Sequence, residues 1–294
     1  MSKINGVYAA TLSLLNKDLT LNVEKTIEHL EMAIDNGCHG AAIFGSTGQA
    51  QLISVAEKIN FLNKLSTNKY KDKCIIGTGL NSLGEIINLM RVAISLSYEK
   101  FLIMPPAYYK YSDEDVFNFY SKIVESVPKA KIILYNFEKL SSFLFTPEFV
   151  KKLVSEWPKN IIGVKDSSYN LYETLKIPNF LIFPGSEAKL LKSLELGCAG
   201  VISAITQVTH SLARKVYDDF EKKEKQTQNE KLIAVREEFD KYNLISALHS
   251  YFSVNDGNFK NLLPPLILLN VKDKKNLLKK LELLKFEKDK NLAA

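Results

Sequence analysis

Lys165 is the residue best placed for covalent chemistry in this chain. It ends the run Ile161-Ile162-Gly163-Val164, which is short, apolar and mostly β-branched, and Asp166-Ser167-Ser168 follow it. Such a run reads as a buried strand of a parallel sheet. An amine held at the end of a buried strand loses part of its hydration, which favours its neutral form. A neutral amine attacks a ketone and forms a Schiff base. Taken alone, the segment better describes a lysine that closes a strand and reaches out to water. Other side chains of matching chemistry stand elsewhere. Ser46 and Thr47 lie between Gly45 and Gly48, where glycines allow close backbone approach and hydroxyls can hold a carboxylate. The same four residues also fit an ordinary turn. Tyr135 and Tyr108 carry phenols that can move protons, though the first also fits a core ring and the second a surface aromatic.

These residues act together only if the fold collects them. Strand-like runs at Val7 to Leu12, Gly40 to Phe44, Cys74 to Thr78, Phe101 to Met104, Lys131 to Tyr135, Ile161 to Val164, Leu181 to Phe183 and Val201 to Ser203 alternate with helical periodicity. The helices expected between them cover Asn22 to Asp35, Ser54 to Leu65, Leu83 to Leu96, Ser112 to Val127, Pro147 to Trp157, a short piece at Leu171 to Leu175, and Ala188 to Leu196. Ser112 suits an N-cap and Pro147 a first helical position. Eight βα units in succession predict a TIM (β/α)8 barrel over residues 1–205. Helices at Ser211 to Glu221, Asn229 to Tyr242 and Lys272 to Phe286 then predict a C-terminal helical extension over 206–294, packed on the barrel. An open doubly wound sheet ranks lower, because no GxGxxG follows the first strand. In a barrel, chemistry sits on the loops after the strands. That rule gathers Ser46, Thr47 and Gly48 after strand two, Tyr108 after strand four, Tyr135 and Lys165 at strands five and six, and Gly185 and Glu187 after strand seven.

Composition removes several function classes. The net charge of +6 is spread out, and the basic run from Lys272 to Lys280 reads as the outer face of a helix, so no nucleic-acid partner is expected. No apolar stretch is long enough for a bilayer, and none at the N-terminus resembles a signal peptide. Cys38, Cys74 and Cys198 are far apart and odd in number, and the four histidines form no metal-type spacing. A reduced, cytoplasmic protein without a metal is the expectation.

The motifs Gly45-Ser46-Thr47-Gly48, Pro106-Ala107-Tyr108, Tyr135-Asn136, Gly163-Val164-Lys165-Asp166-Ser167-Ser168 and Gly197-Cys198-Ala199-Gly200-Val201-Ile202-Ser203 occur in this order. On them the chain resembles the dihydrodipicolinate synthase / N-acetylneuraminate lyase superfamily of class I, Schiff-base aldolases, from about Gly6 to Ser203. The resemblance implies that Lys165 forms the Schiff base with pyruvate or another 2-keto acid and that Tyr135 relays protons. It implies that Ser46 and Thr47, in the loop with Gly48, bind the keto-acid carboxylate, and that the backbone of Ile202 lines the pyruvate pocket. Tyr108 matches a tyrosine that reaches across a dimer interface. The resemblance further implies a homotetramer, a dimer of dimers, and no cofactor, since the iminium serves as electron sink.

Departures from the pattern bear on the substrate. Gln49 replaces a usual glutamate, Thr11-Leu12-Ser13 lacks the frequent Thr-Pro-Phe, and Asn136 to Ser142 lacks the common proline and glycine. Leu140 stands where dihydrodipicolinate synthases place an arginine for the aldehyde's carboxylate; Lys139 beside it cannot form a bidentate fork. Glu187 lies where sugar-acid lyases use an acidic residue on hydroxyls. The expected activity is reversible cleavage of a 2-keto-3-deoxy sugar acid to pyruvate and an aldehyde. The alternatives are N-acetylneuraminate lyase, dihydrodipicolinate synthase, and a non-catalytic barrel that binds a keto acid.

Overall fold

Strands this short and this apolar bury both faces only when helices cover one side and the sheet curls over the other. The computed structural model describes residues 4–286 and shows that arrangement. Strands β1 Gly6–Ala10, β2 Gly40–Ile43, β3 Cys74–Gly77, β4 Lys100–Ile103, β5 Lys131–Asn136, β6 Ile161–Asp166, β7 Leu181–Pro184 and β8 Gly200–Ser203 form one sheet in the order β7-β6-β5-β4-β3-β2-β1-β8. Every pairing is parallel, and β1 pairs with β8 through Gly6 opposite Gly200. The remaining seam, between β7 and β8, is stitched by the Ala199 amide donating to the Ile182 carbonyl at 2.9 Å. The barrel interior is filled by Tyr8, Ala42, Ile75, Ile133, Phe183 and Ile202 among others, with Tyr8 edge-on to Phe183. A larger apolar layer lies between strands and helices.

Local signals set the helices α1 Val23–Asp35, α2 Val55–Leu65, α3 Leu83–Ser95, α4 Asp113–Ser126, α5 Glu138–Ser141, α6 Pro147–Glu156 and α7 Leu190–Glu195. Ser54 with Glu57, and Ser112 with Asp115, form capping boxes, and Pro147 opens α6 behind the Thr146 cap. The helix expected at Leu171 to Leu175 is not formed. Asp166 accepts the amides of Leu171 and Tyr172, at 2.9 Å each, so its carboxylate does there what a helix would do, and a single turn results.

The chain after β8 folds as α8 His210–Glu221, α9 Asn229–Asp240, α10 Leu244–Phe252 and α11 Val271–Leu283. Residues 287–294 of the expected extension, like residues 1–3, lie outside the described residues. Helix α10 was not foreseen in the sequence. Its residues from Ser246 to Phe252 are all buried, Ser246, His249 and Ser250 included, so it lacks the charged, solvent-facing side that marks a surface helix. One core joins Leu12 and Leu14, which follow β1, to Ala204 and Ile205 after β8, and to Val235, Leu248 and Leu277 of α9, α10 and α11. That core runs across position 205. Its polar centre is His29 of α1, whose Nε2 donates to Gln207 Oε1 at 2.5 Å while Phe252 and Phe259 meet the ring edge-on.

Candidate active site

The face of a strand residue follows from pairing parity, because successive side chains alternate and paired residues on neighbouring strands point the same way. Ile132 pairs with Ile161, but Ile133 pairs with Gly163, so β6 carries one extra residue at that point. The parity of β6 is thereby reversed beyond Ile162. Tyr135 then pairs with Lys165, and Lys165 with Phe183, so all three face the barrel interior. Without the extra residue, Lys165 would point outward. Gly163 permits the irregularity, since a Cβ there would lie 2.5 Å from the Leu181 carbonyl oxygen.

Lys165 is 3% exposed, and its Nζ lies 4.3 Å from the centroid of the Tyr135 ring. The Tyr135 hydroxyl lies 2.9 Å from Ser46 Oγ. Lysine, phenol and hydroxyl therefore lie in one row at the barrel mouth. On the outer face, Asn136 donates to Asp166 Oδ1 at 2.8 Å, and the buried Asp166 also accepts the amide of Tyr169 at 2.9 Å. Asn136 and Asp166 thus clamp the ends of β5 and β6 together from behind and fix the spacing of Tyr135 and Lys165.

Ser46 and Thr47 belong to a single 3-10 turn, Ser46–Gly48, entered from Phe44 in a left-handed conformation (φ 54°). A large aromatic residue is strained there and is held by packing against the Phe61 ring at 5.1 Å. Gly48 is pressed onto the first strand's exit, where a Cβ would meet Ser13 Oγ at 2.9 Å. Gln49 closes the turn, also left-handed. Its Nε2 donates to the Leu263 carbonyl at 3.0 Å and its Oε1 accepts the Leu263 amide at 3.2 Å. The turn that carries Ser46 and Thr47 is therefore tied to the loop before α11.

A cavity of about 800 Å³ opens over Lys165. Ser46, Thr47, Tyr135, Ser167, Tyr169 and Gly185 form its near side. Gly185 lies so close to Ser167 that a Cβ would sit 2.2 Å from Ser167 Oγ. The far side comes from the extension: Arg236 and Asp240 of α9, then Tyr242, Asn243 and Leu244. Arg236 Nη1 donates to Glu187 Oε2 at 3.0 Å and to Ser203 Oγ at 2.9 Å, and Nε donates to Asp240 Oδ1 at 2.8 Å. Burial works against the charge of Arg236, but Glu187 and Asp240 more than offset it and raise its pKa above the ordinary value.

Lys165, Tyr135, Ser46, Thr47 and Gly185 all border this cavity. Glu187 does not. Its carboxylate is fully buried and held by Arg236, Ser203 and Thr209, so it braces the far wall instead of meeting a ligand. Leu140 lines a neighbouring, more apolar cavity of about 450 Å³ that shares Ser46 and Tyr135 with the first. Ile202 is buried in the barrel interior. Tyr108 is 88% exposed in a left-handed conformation (φ 90°), with Tyr109 edge-on beside it, and does not border the cavity. Arg236 and Asp240 were not singled out from the sequence, yet a signal was there. Only three of the thirty-nine Lys and Arg residues are arginine. Where lysine supplies nearly all positive charge, an arginine marks a place that needs the planar fork.

The fold is a (β/α)8 barrel with its polar cavity at the C-terminal ends of the strands. Residues 3–284 match the dihydrodipicolinate synthetase family, and the chain belongs to that family. Its relatives include the 2-dehydro-3-deoxy-D-gluconate/2-dehydro-3-deoxy-phosphogluconate aldolase of Picrophilus torridus, 28% identical over 78% of this chain and 87% of that one. The crystal structure of dihydrodipicolinate synthase from Agrobacterium tumefaciens superposes with a TM-score of 0.87 at 22% identity, over 95% of this chain and 99% of that one. A prophage protein of the same family from E. coli K12, solved in complex with pyruvate, superposes at 0.85 with 21% identity, over 96% of this chain and 98% of its own. The aldolase and the synthase among these relatives are lyases. Among the described residues, no helix is long and apolar enough to cross a membrane.

Proposed function

We propose that this chain is a class I, Schiff-base aldolase that reversibly cleaves a 2-keto-3-deoxy sugar acid to pyruvate and an aldehyde. The observation that carries the reading is the inward-facing Lys165 with its amine 4.3 Å from the Tyr135 ring, in a cavity that also holds Ser46 and Thr47. The Lys165 amine adds to the C2 ketone, water leaves, and an iminium forms. The C3–C4 bond then breaks, and its electron pair passes into the iminium to give an enamine. The C4 hydroxyl loses its proton to Tyr135, by way of the substrate carboxylate, and C4 leaves as an aldehyde. Protonation of the enamine at C3 and hydrolysis release pyruvate and restore the amine. Ser46 and Thr47 hold the carboxylate. No cofactor is needed, because the iminium accepts the electrons.

Three further assignments go with this reading. Leu140 offers no cation to an incoming carboxylate, which disfavours aspartate semialdehyde as the aldehyde partner. Tyr108, exposed and held in a strained conformation, is assigned to the site of a second copy, in a homotetramer built as a dimer of dimers. A fully active monomer in sedimentation would refute that assignment. The buried free thiols suit a reducing compartment, and we place the enzyme in the cytoplasm. Pyruvate with borohydride should add a reduced pyruvyl mass to Lys165 and none to Lys165→Ala. Label on another residue, or none on the wild type, would sink the aldolase.

A further inference from the structure

The far wall of the cavity holds an arginine that looks, in isolation, like a receptor for an anion. Its surroundings say otherwise. Of the chain's three arginines, only Arg236 borders the cavity. Its Nη1 is committed to Glu187 and Ser203, and its Nε to Asp240. A bidentate grip on phosphate needs two adjacent donors of the fork, and of these only Nη2 is left uncommitted. Two carboxylates around one guanidinium leave the group with one net negative charge. Glu187 is buried behind the wall, but the Asp240 side chain is 48% exposed and stands on the cavity itself. On the loop after β5, Glu138 and Lys139 border the same cavity with one charge of each sign.

We infer that Arg236, Glu187 and Asp240 together make the cavity select a substrate whose far end is an uncharged polyol and reject one that ends in phosphate. The inference rests on the aldolase reading and narrows its substrate class. A phosphate monoester brings close to two negative charges and only acceptor oxygens, so it meets Asp240 with nothing to donate. A sugar hydroxyl can donate to Asp240 and accept from the amide of Asn243 or the phenol of Tyr242, which border the cavity beside it. Arg236 then acts as a positioning residue, which holds the Asp240 carboxylate at the wall.

The test compares kcat/KM for 2-dehydro-3-deoxy-D-gluconate and for its 6-phosphate, using the full chain, Asp240→Asn and Asp240→Glu. The wild type should favour the unphosphorylated acid. Asp240→Asn should shift the ratio toward the phosphate by about ten-fold, the scale of one like charge removed at a partly hydrated site. Asp240→Glu should keep the wild-type preference. Raising the salt should improve wild-type turnover of the phosphate and leave the neutral-tailed acid unaffected. A wild type that prefers the phosphate, or an Asp240→Asn ratio within two-fold of wild type, would overturn the inference. Pyruvate labelling of Lys165 is run in parallel. Label with the wrong ratio removes this inference alone. Label without cleavage of either acid removes the sugar-acid reading and this inference with it, and absence of label removes the aldolase itself.

Discussion

The two sides of the cavity are built in different ways. On the near side, Lys165 and Tyr135 are fixed by strand pairing, and one extra residue in β6 decides that Lys165 faces inward beside Tyr135. Among the described residues, no ion pair involves Lys165. On the far side, Arg236 and Asp240 sit on a helix that must dock from outside the barrel, and a buried charge cluster with Glu187 holds them. The near side can be changed one side chain at a time with little effect on the fold. The far side couples recognition to stability, because the buried charges of Arg236 and Glu187 are satisfied by each other and by their neighbours.

That contrast can be broken by mutation. Lys165→Ala should abolish pyruvate labelling while the thermal transition stays cooperative; loss of the transition would show that the near side is structural. Tyr135→Phe should lower kcat by about 10²–10⁴-fold, the usual share of an acid–base group, with labelling retained. An effect confined to KM would make Tyr135 a binding residue. Arg236→Ala should destabilise the fold by roughly 3–5 kcal/mol in urea, since it strands the buried Glu187 carboxylate. Arg236→Met combined with Glu187→Gln should recover much of that loss. Equal stabilities for the single and double variants would mean that the pair does not hold the wall.

Acid probes the seam between barrel and extension. Burial pushes His29 and His249 down to about 4, below the ordinary value of 6.5. Below pH 6.5 the unfolded chain takes up protons that the folded chain refuses, so stability falls as the pH drops from 6.5 toward 4. The loss should reach about 3 kcal/mol per histidine. His29→Asn should show a shallower decline in urea titrations across that window; an identical slope would place the titration elsewhere. The smallest effect is expected at Gln49→Glu, where a carboxylate can accept the Leu263 amide but cannot donate to the Leu263 carbonyl. About 1–3 kcal/mol should be lost, with a weaker grip on pyruvate. An unchanged pyruvate affinity would uncouple the two loops.

The same contrast explains what could be read from the sequence. The barrel and the near side were legible because each strand and each cap is a local signal: Ile161 to Val164 ahead of Lys165, Ser112 and Pro147 at helix starts. The extra residue in β6 was not legible, since register is a property of two strands and not of one. The arginine that holds Glu187 was not legible, because it lies 49 residues away on a helix whose docking no local pattern specifies. Helix α10 was missed because it has no charged, solvent-facing side.

The tie between Gln49 and Leu263 spans 214 residues. Its consequence lies in time. As the chain leaves the ribosome, the strands can pair in order and bring Lys165 beside Tyr135 long before Leu263 has been made. On that order the amine would be set before the turn that carries Ser46 and Thr47 is tied down. An incomplete chain can therefore own its nucleophile without owning a closed pocket around it, and competence arrives only with the final helices.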